Sequence, residues 1–237
     1  MSELNIVLLG PPGAGKGTQA ARLAQDFGLQ YVATGNMLRD AVREETELGR
    51  KAKEYMDRGD LVPDDLIIAM IKESLEQDDS ANGFILDGFP RTERQAQALD
   101  EELVELSRTL NAALLIDVPE EAVVERLSHR RVCTKGQHNF HMTLDPPKNP
   151  ERCDVDGSRL MQRDDDKPEV IQHRLQQYRE KTAPVMGYYE RQGKLRRVDG
   201  SRTPDEVSDQ IRATLAALKF EEKLPPAGQA SDTVDPA

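Results

Sequence analysis

The chain has 237 residues, of which 37% are hydrophobic and 32% charged, and its net charge is −11. A chain of this length buries roughly 70–75% of its unfolded surface and builds a full core unaided; recurring apolar runs mark it as globular rather than disordered. The negative charge argues against nucleic acid or an anionic membrane as the main partner, and the absence of Trp with only 4% aromatics leaves little for base stacking.

No apolar run approaches the roughly 20 residues of a membrane span. The opening Met1-Ser2-Glu3-Leu4-Asn5 has neither a basic stretch nor a cleavable apolar segment. Two cysteines, Cys133 and Cys153, are too few for a disulfide scaffold. The expectation is therefore a cytoplasmic protein.

Leu4 to Leu9 is an apolar run broken only by Asn5 and followed at once by glycine and proline. It reads as a strand buried on both faces, as in a parallel sheet. Tyr31-Val32, Phe84-Ile85-Leu86, Ala112 to Val118 and Leu195 to Val198 read as four more strands. Between them, Ala20, Leu23, Ala24 and Phe27 share one helical face, and Leu66, Ile67, Met70, Ile71 and Leu75 share another. Thr203-Pro204-Asp205-Glu206 has the form of a capping box, and Val207, Ile211, Leu215 and Leu218 then recur on one helix face. Alternation of strand and helix predicts a doubly wound α/β fold with a five-stranded parallel sheet.

Two stretches break the rhythm. Thr34 to Leu61 shows short charged helical patterns and no strand. Arg131 to Asp166 is polar and turn-rich, and too long for a passive loop; it is either disordered or a small functional lid. The expected layout is a core made of residues 1–33, 63–130 and 167–220, with insertions at 34–62 and 131–166. Residues 221–237 have the composition of a disordered tail.

Gly10-Pro11-Pro12-Gly13-Ala14-Gly15-Lys16-Gly17-Thr18 follows the first strand and opens the first helix. That is the setting of a phosphate loop: glycines let backbone N–H groups converge on phosphate oxygens, the helix N-terminus adds partial positive charge, and Lys16 adds a full one. Gly17 intervenes before the hydroxyl of Thr18, so the usual metal-ligating position directly after the lysine is missing. The loop points to a nucleoside triphosphate but does not name a reaction.

The loop variant Gly15-Lys16-Gly17-Thr18-Gln19 resembles the adenylate kinases. Ala33-Thr34-Gly35-Asn36-Met37-Leu38-Arg39, Leu61-Val62-Pro63-Asp64, Leu86-Asp87-Gly88-Phe89-Pro90-Arg91, Arg130-Arg131-Val132, Arg163-Asp164-Asp165-Asp166 and Val198-Asp199-Gly200 resemble the same family, in the same order, from about Asn5 to Leu218. The resemblance implies reversible transfer of the γ-phosphoryl group of MgATP to AMP, giving two ADP, by a monomer that balances adenine nucleotides. It makes 34–62 the AMP-binding insertion and 131–166 the lid.

Site residues follow from the same resemblance. Gly13, Ala14, Gly15, Lys16, Gly17 and Thr18 would hold ATP phosphates, Arg126 and His141 would flank the donor adenine, and Arg130, Phe140 and Arg202 would also bind ATP. Thr34, Gly35, Arg39, Leu61, Val62, Gly88, Phe89, Arg91 and Gln95 would surround AMP, with Arg163 and Arg174 also binding it. Arg126, Arg130, Arg163 and Arg174 would join Lys16 and Arg91 around the transferring phosphoryl group, whose loose transition state is served by positioning and cationic charge. Asp165 and Asp166 would hold these arginines. Asp87, at the carboxyl end of an apolar strand, would hold hydrated Mg²⁺.

Long-lid members of the family carry a four-ligand zinc site. Here Cys133 and the pair Cys153 and Asp156 keep three of its positions, while Gly136 stands at the fourth; His138 could replace it. Cys, His and Asp are all zinc ligands. A hydrogen-bonded remnant and two plain buried cysteines are the competing readings. For the whole chain, the rivals are a kinase for another nucleoside monophosphate, a GTP-using relative and a nucleotide-binding switch; a pure switch has no use for Arg130, Arg163 and Arg174 beside an acceptor site.

Overall fold

The computed structural model describes residues 3–76, 82–136 and 138–221. Five parallel strands form the main sheet: β1 (Ile6–Leu9), β2 (Gln30–Ala33), β3 (Phe84–Asp87), β4 (Ala112–Asp117) and β8 (Leu195–Asp199), in the order β2-β3-β1-β4-β8. Ile6 lies opposite Ile85 on one side and Ala112 on the other. All five expected strands are present, including the weakly marked one at Tyr31-Val32.

The apolar runs are continuous because both faces of the sheet are covered. Alternate residues face opposite sides. Ile6, Leu8, Ile85, Leu114 and Ile116 pack with α1 (Lys16–Phe27), α6 (Glu120–Ser128), α7 (Pro168–Gln177) and α9 (Pro204–Glu221). Val7, Leu9, Leu86, Ala113 and Leu115 pack with α4 (Asp64–Leu75), α5 (Glu93–Glu105) and α8 (Ala183–Arg191). Truncating a fully buried side chain such as Leu114 to Ala would cost roughly 2–5 kcal/mol.

The expected helix faces are the buried ones. Ile67, Met70, Ile71 and Leu75 of α4 are in the core, as are Val207, Ile211, Leu215 and Leu218 of α9. The capping box at the start of α9 is formed: Thr203 Oγ1 donates to Glu206 Oε2 at 2.7 Å, as does Thr203 N at 3.0 Å, and Glu206 N donates back to Thr203 Oγ1 at 3.4 Å. The tail expected from residue 221 lies outside the described residues, apart from Glu221 at the end of α9.

Residues 34–62 fold as α2 (Thr34–Arg43) and α3 (Glu47–Arg58), packed on each other, without a strand. Within 131–166 the structure holds a small antiparallel sheet that periodicity did not reveal: β5 (Arg130–Cys133), β6 (Asn139–His141) and β7 (Leu160–Met161), in the order β6-β5-β7. Strands of two to four residues are too short to show a period of two. Among the described residues, their core is Cys133, Cys153 and Leu160 with Phe140 against them. The two inserted segments meet: Arg43 Nη1 on α2 donates to Lys135 O at 3.5 Å. Among the described residues, no helix is long and apolar enough to cross a membrane.

Candidate active site

The carboxyl ends of β1, β2 and β3 open into one cleft of about 940 Å³, floored by the phosphate loop and walled by both inserted segments. Ligands of open α/β sheets bind at this edge. Gly13 sits at φ 78°, and a Cβ there would lie 2.8 Å from Leu127 Cγ, so both the turn and the packing of α6 require glycine. Gly15, also left-handed, caps α1 and turns the helix N-terminus and Lys16 into the cleft.

Lys16 Nζ donates to Gly10 O and Pro11 O, each at 2.8 Å. Burial lowers its pKa to about 8; Arg91, Arg174 and Arg130 push the same way, against Asp87. Asp87 ends β3, where Tyr31 OH donates to its Oδ2 at 3.2 Å. A carboxylate beside the lysine at the mouth of the loop suits a hydrated divalent cation, which has oxygen preferences and keeps several waters. Thr18 is exposed on the same wall.

Arginines form the other side. Arg39, Arg91, Arg130, Arg163 and Arg174 all line the cleft. Arg130 and Arg174 share Asp166: Arg174 Nη1 donates to its Oδ1 at 3.2 Å and to Asp165 O at 2.8 Å. Arg163 Nη2 donates to Asn139 Oδ1 at 3.1 Å, while its buried Nε has no hydrogen-bond partner among the described residues. Burial, then the charges of Arg130 and Arg39, lower the Arg163 pKa to about 9. Burial and neighbouring arginines likewise depress Arg39 and Arg91. Such crowding of cations is favourable only when anionic ligands arrive.

The sequence-predicted residues converge with one exception. Thr34, Gly35, Leu61, Val62, Gly88 and Gln95, expected around AMP, and Arg126, Phe140, His141 and Arg202, expected around ATP, all line the same cleft. Phe89 does not line the cleft. Its ring is 1% exposed in the core between α4, α5 and the sheet, where an apolar ring gains more than at a phosphate site. Arg126 Nη2 donates to Gly200 O at 2.8 Å.

A family model for adenylate kinase matches residues 8–194. The chain belongs to the adenylate kinase family. It is 49% identical to an adenylate kinase of Archaeoglobus fulgidus over 91% of this chain and 100% of that one. An adenylate kinase of Kosmotoga olearia is also 49% identical, over 91% and 100% of the two chains, and one of Oceanobacillus iheyensis is 47% identical over 90% and 99%. The protein is thus an enzyme of phosphoryl transfer between ATP and AMP. Adenylate kinases use Mg²⁺ with ATP.

In this adenylate kinase, Cys133, His138, Cys153 and Asp156 gather in the small sheet. His138 Nδ1 lies 3.3 Å from Cys133 Sγ, 3.4 Å from Cys153 Sγ and 3.4 Å from Asp156 Oδ2, and Cys133 Sγ lies 3.4 Å from Asp156 Oδ2. Ligand bonds of 2.0–2.3 Å in a tetrahedron give edges of roughly 3.3–3.8 Å, so this donor set fits zinc. The position of Gly136 is filled by the histidine: a Cβ there would lie 2.4 Å from His138 Cε1.

A second group, Glu125, His129 and His141, does not fit a metal in the same way. His141 Nδ1 accepts from Leu144 N at 3.0 Å and Thr143 N at 3.3 Å, so in the neutral ring the proton is on Nε2, which offers no lone pair.

Sequence reasoning gave no role to Tyr31, Asn139 or Asp64. Tyr31 meets Asp87 only because β2 pairs with β3, and Asn139 meets Arg163 only because the small sheet folds over the cleft. Neither pairing leaves a local sequence signal.

Proposed function

We propose that the arginine cluster, Lys16 and Asp87 together carry the transfer of the γ-phosphoryl group from MgATP to AMP, with the 34–62 segment closing over AMP and the 131–166 segment over ATP. An oxygen of the AMP phosphate attacks the γ-phosphorus, and the bond to the oxygen bridging the β and γ phosphorus atoms breaks, giving two ADP. The attacking phosphate is already anionic, so no general base is needed. Lys16 and the backbone N–H groups of Gly13 to Thr18 hold the donor phosphates; Arg39 and Arg91 grip the acceptor phosphate with planar forked donors. Arg126, Arg130, Arg163 and Arg174 neutralise charge spread over the transferring group, a role worth roughly 10³–10⁵ in rate for an arginine finger. Asp87 would hold hydrated Mg²⁺, which neutralises phosphate charge.

Thr34, Gly88, Gln95, Leu61 and Val62 surround the acceptor adenine, and Phe140, His141 and Arg202 the donor nucleoside. Closure excludes water, which suppresses hydrolysis and strengthens the arginine contacts. Zinc on Cys133, His138, Cys153 and Asp156 would give the lid the stability its small core lacks. The enzyme works as a cytoplasmic monomer on ATP, AMP and ADP, without nucleic acid or membrane partners.

The observation that carries this reading is the convergence of five arginines from four separate chain segments on the face of the phosphate loop. The test is to mix ATP with AMP, CMP, UMP or GMP and to measure diphosphate formation. AMP is the expected acceptor; no ADP from AMP overturns the reading.

A further inference from the structure

Gln95 is 2% exposed at the inner end of the acceptor side, and its amide is held at both ends. Its Oε1 accepts from Arg91 N at 2.7 Å, and its Nε2 donates to Asp64 Oδ1 at 2.8 Å. A backbone N–H can only donate and a carboxylate can only accept. The amide therefore has one permitted orientation; rotated by half a turn, it would set donor against donor and acceptor against acceptor. Asp64 is itself tied down. Its Oδ2 accepts from Thr92 Oγ1 at 3.0 Å, and that hydroxyl oxygen accepts from Gln95 N at 3.2 Å as the cap of α5. Asp64 comes from the first turn of α4, two residues after Val62, and does not itself line the cleft.

The orientation matters because purines differ in the order of groups along one edge. A 6-aminopurine presents a donor at position 6 and an acceptor at N1. A 6-oxopurine presents an acceptor at position 6 and a donor at N1. An amide able to rotate serves both; an amide of fixed order serves one. We propose that Asp64 is a positioning residue for acceptor-base selection: by fixing the Gln95 amide it makes the site accept a 6-aminopurine nucleotide and reject a 6-oxopurine nucleotide of the same size. This rests on the reading that Gln95 meets the acceptor base. A buried polar group left facing a like group is what gives such a site its discrimination.

The experiment compares AMP with IMP as acceptor in the parent enzyme and in Asp64→Asn and Asp64→Ala, measuring kcat and KM for each and KM for ATP. Asparagine can donate or accept, and alanine removes the acceptor from the Nε2 end, leaving the Arg91 N–H alone to set the order of the amide. The expected result is a fall of at least about tenfold in the ratio of kcat/KM for AMP to that for IMP. The change should appear mainly in acceptor KM, with KM for ATP unchanged as the sign of an intact fold. Gln95→Leu is measured beside them. If Gln95→Leu collapses the ratio while both Asp64 variants, with normal KM for ATP, keep it within about twofold, the role of Asp64 is overturned. If Gln95→Leu also leaves the ratio intact, the base-contact reading of Gln95 falls and the proposal falls with it.

Discussion

Asp166 grips Arg130 with both carboxylate oxygens: Arg130 Nε donates to Oδ2 at 2.8 Å and Nη2 to Oδ1 at 2.6 Å, and the carboxylate is fully buried. The fork-to-fork geometry fixes the guanidinium plane at the root of the small sheet. Asp166→Asn keeps the shape but removes the charge facing two arginines. Breaking a buried pair in this way should lower stability by about 3 kcal/mol. Loss of position at the transferring group should lower kcat on the order of 100-fold. Thermal unfolding and steady-state kinetics check the two effects; an unchanged kcat would remove Arg130 from the machinery.

Lys16 should be both indispensable and costly. Its pKa near 8, against 10.5 for an ordinary lysine, means that the unfolded chain holds this proton more tightly than the folded one. Between those two pH values the unfolded state carries more protons, so folded stability rises with pH across that window. The penalty is fully present below pH 8 and is gone above the unfolded value. Lys16→Met should therefore abolish transfer, yet at pH 7 leave the melting temperature of the ligand-free protein no more than about 3 °C lower, or raise it. ATP affinity of the parent should weaken as pH rises through about 8, because binding then requires proton uptake; calorimetric titration at several pH values checks this.

Arg91, which lines the cleft with its Nε donating to Gly88 O at 2.8 Å, is proposed to grip the acceptor phosphate. Arg91→Ala should raise KM for AMP by roughly 10–100-fold, the worth of a charge-assisted hydrogen bond, and change KM for ATP far less. Initial-rate measurements with each nucleotide varied decide the point. An equal effect on both would move Arg91 to the transferring group itself.

The sulfur-rich corner of the lid makes a metal prediction. The protein purified without chelator should hold about one zinc per chain, and less than ~0.2 would defeat the assignment. Cys153→Ser or prolonged chelation should lower the melting temperature while leaving the main sheet folded, because the unit held by Cys133, Cys153 and Leu160 has little other core. Elemental analysis and circular dichroism melting provide the check.

Much of this protein is written locally. The strand Leu4 to Leu9 announces burial on both faces, and the glycines, Lys16 and their place between strand and helix announce a phosphate site, because each rests on contacts or backbone conformations a few residues apart. The order of family motifs then marks Arg39, Asp87, Arg91, Arg130, Arg163 and Arg174. Tertiary structure alone decided the rest. Short strands such as Leu160–Met161 gain their partners only across the small sheet, so no periodicity foretells them. Phe89 lies within a site motif, yet packing took its ring inward. His138 reaches the place of Gly136 only when the turn is folded. The chain's net charge of −11 says nothing of a cleft crowded with arginines, because it sums over all residues, while the field at a phosphate depends on which few are folded around it. The Asp64–Gln95 bond spans 31 residues and joins two helices whose sequences carry no mark of each other. Contacts of that kind exist only once the sheet has brought its carboxyl ends together.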